Sequence, residues 1–132
     1  MQTRRITLID GHPDPDPGRF VHALADTYAA AALAAGHEVR RIAVAELSFD
    51  LLESRAEWEE GPLPPAIAEA QDDIAWAEHL VIFYPLWLGD LPARLKGFFE
   101  QVMRPGFAFA PKANGLPEKR LKGRTAHIVV TM

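Results

Sequence analysis

The sequence contains no cysteine. Disulfides, thiolate catalysis and cysteine-ligated iron or zinc are thereby excluded, and the composition fits a reducing compartment. Positive charge is sparse too: the net charge is -4, with no run of adjacent basic residues longer than scattered pairs such as Arg4/Arg5 and Arg40/Arg41. Nucleic-acid binding needs a concentrated positive surface, so no such partner is expected. No run approaches the roughly 20 apolar residues of a membrane span. Met1 leads through Gln2, Thr3, Arg4 and Arg5 into a strand-length apolar run rather than a signal-peptide core. A soluble, cytoplasmic chain is the expectation. The Gly-rich dinucleotide fingerprint and the Lys-containing phosphate loop are both missing. The 132 residues, 48% of them hydrophobic, suit one domain over 1–132 with a real core.

Apolar runs and breakers alternate along the chain. Ile6 to Ile9 is a strand-length run stopped by Asp10 and Gly11. His12 to Gly18 holds three prolines and two aspartates, so no regular element persists there and a helix begins near Arg19. Phe20, Leu24, Ala31 and Ala35 fall close to one face of that helix, and Gly36 stops it. A weaker strand follows from His37 to Ala43. The acidic stretch Glu46 to Pro65 reads as an irregular surface excursion, anchored to the core by Trp58. Ile67, Ala70, Ile74 and Ala77 are spaced as one helix face leading into a third strand, Leu80 to Tyr84. Pro92 suits a helix's first turn, with Leu95, Phe98, Phe99 and Val102 as its inward stripe. Gly106 to Gly123 is a long connection before a fourth strand, Ala126 to Val130.

Strands alternating with helices predict a doubly wound, mostly parallel α/β sheet in three layers. Such sheets bind ligands outside the carboxyl ends of their strands, so the loops carrying His12, Trp87 and Thr131 are expected to converge. In the first loop, Gly18 allows close backbone approach and Arg19 adds a charge, at a helix start whose unpaired N–H groups suit a phosphate. The plainer reading is that both residues simply begin a surface helix. In the third-strand loop, the Trp87 ring and the amides from Leu86 to Gly89 offer a face and an edge to a flat heterocycle. Alternatively, Trp87 only covers the end of the core.

Strand one followed by His12-Pro13, helix one with Phe20, His22, Ala23 and Leu24, and above all PLWLGDLPARLKGFF from Pro85 to Phe99 resemble the flavodoxin-like NAD(P)H dehydrogenase (quinone) family. That family includes quinone reductases and flavoproteins that partner glutathione-gated potassium efflux systems. The resemblance implies bound FAD or FMN, reduced by NADH or NADPH and reoxidised by a quinone-like acceptor. It places the flavin phosphate at His12, Gly18, Arg19 and Phe20, and the ring at Pro85, Leu86, Trp87, Leu88 and Gly89. Thr131 begins a loop that closes over the flavin, and Asn114 and Gly115 wall the pocket shared by nicotinamide and acceptor. It implies no catalytic acid or base within these residues and no metal. The chain departs from the family in two places. Pro15, Asp16 and Pro17 stand where a hydroxyl residue is usual, and Asp14 or Asp16 would repel a phosphate if turned inward. The family also continues past strand four with a glycine-bearing flavin loop, a helix and a fifth strand, so a sheet missing its last strand and helix is expected.

Two other classes fit parts of the sequence. Asp10, His12, Asp14 and Asp16 are candidate ligands of a zinc-dependent de-N-acetylase, although Pro15 stands where that signature has its second Asp and no two histidines fall three or four apart. A non-catalytic flavin- or nucleotide-binding subunit, ancillary to a membrane transporter, would use the same fold. An unpaired sheet edge predicts a homodimer. His79 and His127 read as packed or surface residues, and Asp72 and Asp73 as a solvated helix face.

Overall fold

A computed structural model describes residues 2–110 and 115–132. Four parallel strands form the central sheet: β1 (Arg5–Asp10), β2 (Glu38–Ala43), β3 (His79–Pro85) and β6 (Thr125–Thr131), in the order β2-β1-β3-β6. The chain moves from β1 outward to β2, then crosses back to the other side of β1. The order therefore reverses between β1 and β3. Ile6 to Asp10 are all buried, as a strand covered on both faces requires. Ile6 and Leu8 point to one face with Val81 and Phe83, where α1 (Phe20–Ala34) packs. Ile9 points to the other, against α3 (Pro65–Trp76) and α4 (Ala93–Val102) through Ile67, Ile74, Leu95 and Phe98. Helices on both faces give the three layers expected.

Several expectations need correction. The buried line of α1 is Val21, Ala25 and Ala32; Phe20 is 65% exposed, and Ala31 and Ala35 also face water. An alanine-rich helix gives little signal about its inward face, and the buried line is offset by one residue from the expected one. Gly36 does end the helix, at φ 91, with the His37 N–H donating to the Ala32 carbonyl and its own to Leu33. The excursion is not wholly irregular: it holds α2 (Arg55–Glu60), started by Ser54 Oγ accepting the Glu57 N–H at 3.1 Å. Trp58 packs on Phe109 at 5.7 Å between ring centres rather than in either buried core. Phe109 belongs to a short antiparallel pair, β4 (Phe109–Ala110) with β5 (Glu118–Lys119), inside the stretch expected to be a plain connection. The excursion is tied down instead by Gln101 and Arg104, both buried. Gln101 Nε2 donates to the Asp50 carbonyl at 2.7 Å, and Arg104 Nη1 to that of Gly61 at 2.9 Å. Asp73 is not simply solvated, since it pairs with Arg40 at 3.3 Å and its carbonyl accepts the buried Thr7 hydroxyl at 2.7 Å.

Gly11 fixes how closely the β1 loop lies on β3. Its N–H donates to the Phe83 carbonyl at 2.7 Å, and a Cβ there would sit 2.8 Å from that oxygen and 2.7 Å from a Leu95 methyl. Gly97 is also crowded, but only by the end of the exposed, flexible Leu51 side chain. Gly11→Ala is therefore expected to lower stability by about 1–3 kcal/mol and Gly97→Ala by well under half of that, read from urea midpoints at constant slope.

Candidate functional site

The first loop is built by its own sequence. With Pro at 13, 15 and 17, only alternate residues carry an N–H, and each is accepted by the side chain two positions earlier. Asp10 takes His12 at 3.3 Å, His12 Nδ1 takes Asp14 at 3.0 Å, and Asp14 and Asp16 take Asp16 and Gly18, each at 2.9 Å. The Gly18 amide expected to face a phosphate is therefore engaged. Arg19 is held by Asp14 at 2.8 Å and lies 3.8 Å from Asp16. The first-turn amides of Phe20 and Val21 make no hydrogen bond among the described residues, as the start of a helix without a side-chain cap leaves them.

At the root of this loop lies a charge cluster that the sequence reading did not assemble. The Asp10 carboxylate is buried, and its Oδ2 accepts from His22 Nδ1 at 2.5 Å and from Arg41 Nη2 at 2.9 Å. Arg41 also pairs with Asp26. A buried carboxylate requires such partners, so an Asp closing an apolar strand was the available signal. His22 Nε2 lies 2.7 Å from the Asp14 carbonyl, so both its ring nitrogens face oxygens that can only accept. Burial alone would lower its pKa, but the bonds to Asp10 and Asp14 prevail and hold it above the usual histidine value. His12 is the opposite case. Burial first, and then the neighbouring His22, push it down, and acceptance of the Asp14 N–H at Nδ1 leaves its proton on Nε2. The two rings are 5.4 Å apart.

The third-strand loop meets the first at the reversal point. The His12 ring stands edge-on to Trp87 at 5.7 Å. Trp87 and Asp90 exchange backbone hydrogen bonds around a turn with Leu88 at φ 51 and Gly89 at φ 75. This left-handed pair is comfortable for glycine but costs a leucine about 1 kcal/mol. Leu86 donates to the Thr131 carbonyl at 2.8 Å, which brings the end of β6 to the same edge. Of the four amides expected to be free, those of Leu86 and Trp87 are engaged, and those of Leu88 and Gly89 make no hydrogen bond among the described residues. Trp87 is 47% exposed and Leu88 wholly so, so Trp87 does not merely cap the core. Pro85 is buried as the last residue of β3. Thus His12, Pro85, Leu86, Trp87, Leu88, Gly89 and Thr131 form one edge, while Gly18, Arg19 and Phe20 lie at its rim on the start of α1. Asn114 lies outside the described residues, and Gly115 is exposed with no described contact to these loops.

A cleft of about 560 Å³ lies on the β2 side of the first loop, lined by Asp10, Asp26, Arg41, Glu46, Glu69 and Asp73 among others. Its carboxylates oppose a phosphate, and none of its lining comes from the Trp87 loop. No set of three potential metal ligands gathers among the described residues, and the de-N-acetylase reading finds its first-loop donors bonded to one another.

A family model described as the flavodoxin-like fold matches residues 4–132. A Haemophilus influenzae protein named an uncharacterized NAD(P)H oxidoreductase is 31% identical over 90 residues, which cover 66% of this chain and 44% of that one. NAD(P)H dehydrogenase [quinone] 1 of Rattus norvegicus is 38% identical over 58 residues, 44% of this chain and 21% of the rat protein. The match thus spans under half the length of either. An NAD(P)H:quinone oxidoreductase structure from Methanothermobacter marburgensis superposes with a TM-score of 0.78 at 24% identity, covering 98% of this chain and 66% of that one.

Leu88 is strained and fully exposed, so packing does not offset the cost of its positive φ. Leu88→Gly is expected to leave the protein as stable as before or about 0.5–1 kcal/mol more stable, read by chemical denaturation. A clear loss of stability would show that the turn is not held at a positive φ.

Proposed function

The chain belongs to the flavodoxin-like fold family, and from that premise we propose that it is an NAD(P)H-dependent flavin oxidoreductase that reduces a quinone-like acceptor. One observation carries the reading. At the strand-order reversal, an exposed Trp87 ring and the open amides of Leu88 and Gly89 are presented together on a strained turn. A flat heterocycle with hydrogen-bonding edges is the ligand that such a surface fits. A bound FAD or FMN would supply the two-electron chemistry, accepting hydride from NADH or NADPH and passing it to the acceptor. The chain's own residues bind and orient. Trp87 gives the ring an apolar contact, and the Leu88 and Gly89 amides donate to its polar edge. His12 Nε2–H is a neutral donor beside them, its tautomer fixed by the Asp14 amide.

The phosphate end would meet the amides of Phe20 and Val21 and the Arg19 guanidinium. Here Asp14 competes for Arg19, which is the physical form taken by the first loop's departure from the family. Homodimerisation is part of the proposal. The outer edge of β6 is unpaired among the described residues and exposes Ile128 and Val130. Light scattering at high concentration should report a dimer, and a monomer would remove this part of the reading.

Calorimetric titration with FMN and with FAD tests the site. Trp87→Ala is expected to weaken flavin binding about tenfold, roughly 1.4 kcal/mol, with little change in stability since the ring is half in water. Equal affinity in the variant would sink the placement of the ring. Addition of NADPH or NADH to the loaded protein then separates an oxidoreductase, whose visible absorbance bleaches, from a flavin-binding subunit, whose absorbance stays.

A further inference from the structure

We propose that His22 is a positioning residue which, as an imidazolium, clamps the loop after β1 by bonding the Asp10 carboxylate with one ring nitrogen and the Asp14 carbonyl with the other. Both partners are acceptors, so both bonds exist together only when both nitrogens carry protons. The neutral ring satisfies one and turns a lone pair on the other. Asp14 is the middle of the chain of turns from Asp10 to Gly18, and its carboxylate holds Arg19. Loss of the Asp14 contact therefore releases the segment that orients Arg19 and the start of α1.

Charged groups face His22 from every element packed against it. Asp10 and Arg41 face it from the ends of β1 and β2, Asp14 and His12 from the loop, and Asp26 reaches the cluster from α1 through Arg41. Asp14 and Arg41 are held in their charged forms by their partners, and His12 is pushed down by burial and by His22. The pKa of His22 is raised, so the clamp's contribution is complete below the ordinary histidine value and is lost as pH rises through the raised one.

One consequence rests on the flavin reading above. A ligand anchored through its phosphate should bind less tightly as the clamp opens, whereas riboflavin, which has no phosphate, should not respond. The ligand phosphate gains its second charge near pH 6, so the comparison belongs above pH 7.

The first measurement is nitrogen NMR of the histidine rings in the ligand-free chain, with hydrogen exchange of the Asp14, Asp16 and Gly18 amides. At pH 7 both His22 nitrogens should be protonated while His12 shows a single Nε2 proton. Exchange at the three amides should accelerate as His22 titrates and should be fast at every pH in His22→Gln. A neutral His22 at pH 7, or exchange that does not follow its titration, overturns the clamp. The second is FMN and riboflavin affinity from pH 7 to 9. FMN should weaken about tenfold in the native chain, riboflavin should stay level, and His22→Lys, permanently charged, should abolish the pH dependence while keeping FMN binding. The same FMN profile in His22→Gln as in the native chain contradicts the consequence for phosphate. If neither flavin binds, the cofactor reading fails, and the clamp is decided by the first measurement alone.

Discussion

The Asp10 carboxylate, withdrawn from water at the carboxyl end of β1, is the constraint around which the site is organised. Left alone, such a charge would cost several kcal/mol; here its two oxygens gather the His12 amide, the His22 ring and the Arg41 guanidinium. Those three groups belong to the loop, to α1 and to β2. One buried charge thus sets the distance between the central strand, its neighbour and the helix that follows. Removing either His22 or Arg41 would take one of two side-chain donors from this buried carboxylate, so the cluster holds the geometry of this edge more firmly than a surface ion pair could.

From that anchor, the loop is fixed by a repeated local device. Proline removes the N–H at every second position, and the intervening side chain accepts the N–H two residues on. A loop so self-satisfied is ordered before any ligand arrives, which reduces the entropy cost of binding. It also restricts what binding can use: the amides left open are at Phe20 and Val21 on one side and at Leu88 and Gly89 on the other. Two neighbouring histidines divide the chemistry. Burial and the neighbouring His22 push the pKa of His12 down, whereas the bonds to Asp10 and Asp14 outweigh burial and hold that of His22 up.

Much of the sheet was legible because apolar runs ending in Asp10-Gly11 and at Pro85 carry the signature of strands buried on both faces. The reversal point followed from element order alone, and with it the approach of His12 to Trp87. The inward face of α1 was not legible, because small alanines, Ala25 and Ala32, fill much of the buried line while the large Phe20 ring points to water. Nor were the anchors of the surface excursion. Gln101 and Arg104 look like solvated helix residues until tertiary contact supplies backbone carbonyls for them. In the site, residue types told where a ring could lie but not which amides remain free, since local hydrogen bonding decides that. His22 went unread for the same reason: its partners are a carboxylate twelve residues away and a carbonyl eight residues away, a relation that no periodicity encodes.

The central claim is that the edge formed by His12, Trp87, Leu88 and Gly89 holds a flavin. The most direct test is the visible absorption spectrum of the purified chain after incubation with FMN or FAD and removal of free flavin by gel filtration. A flavin absorption band that travels with the protein, shifted by contact with the Trp87 ring, is expected. A colourless protein after both incubations would contradict it.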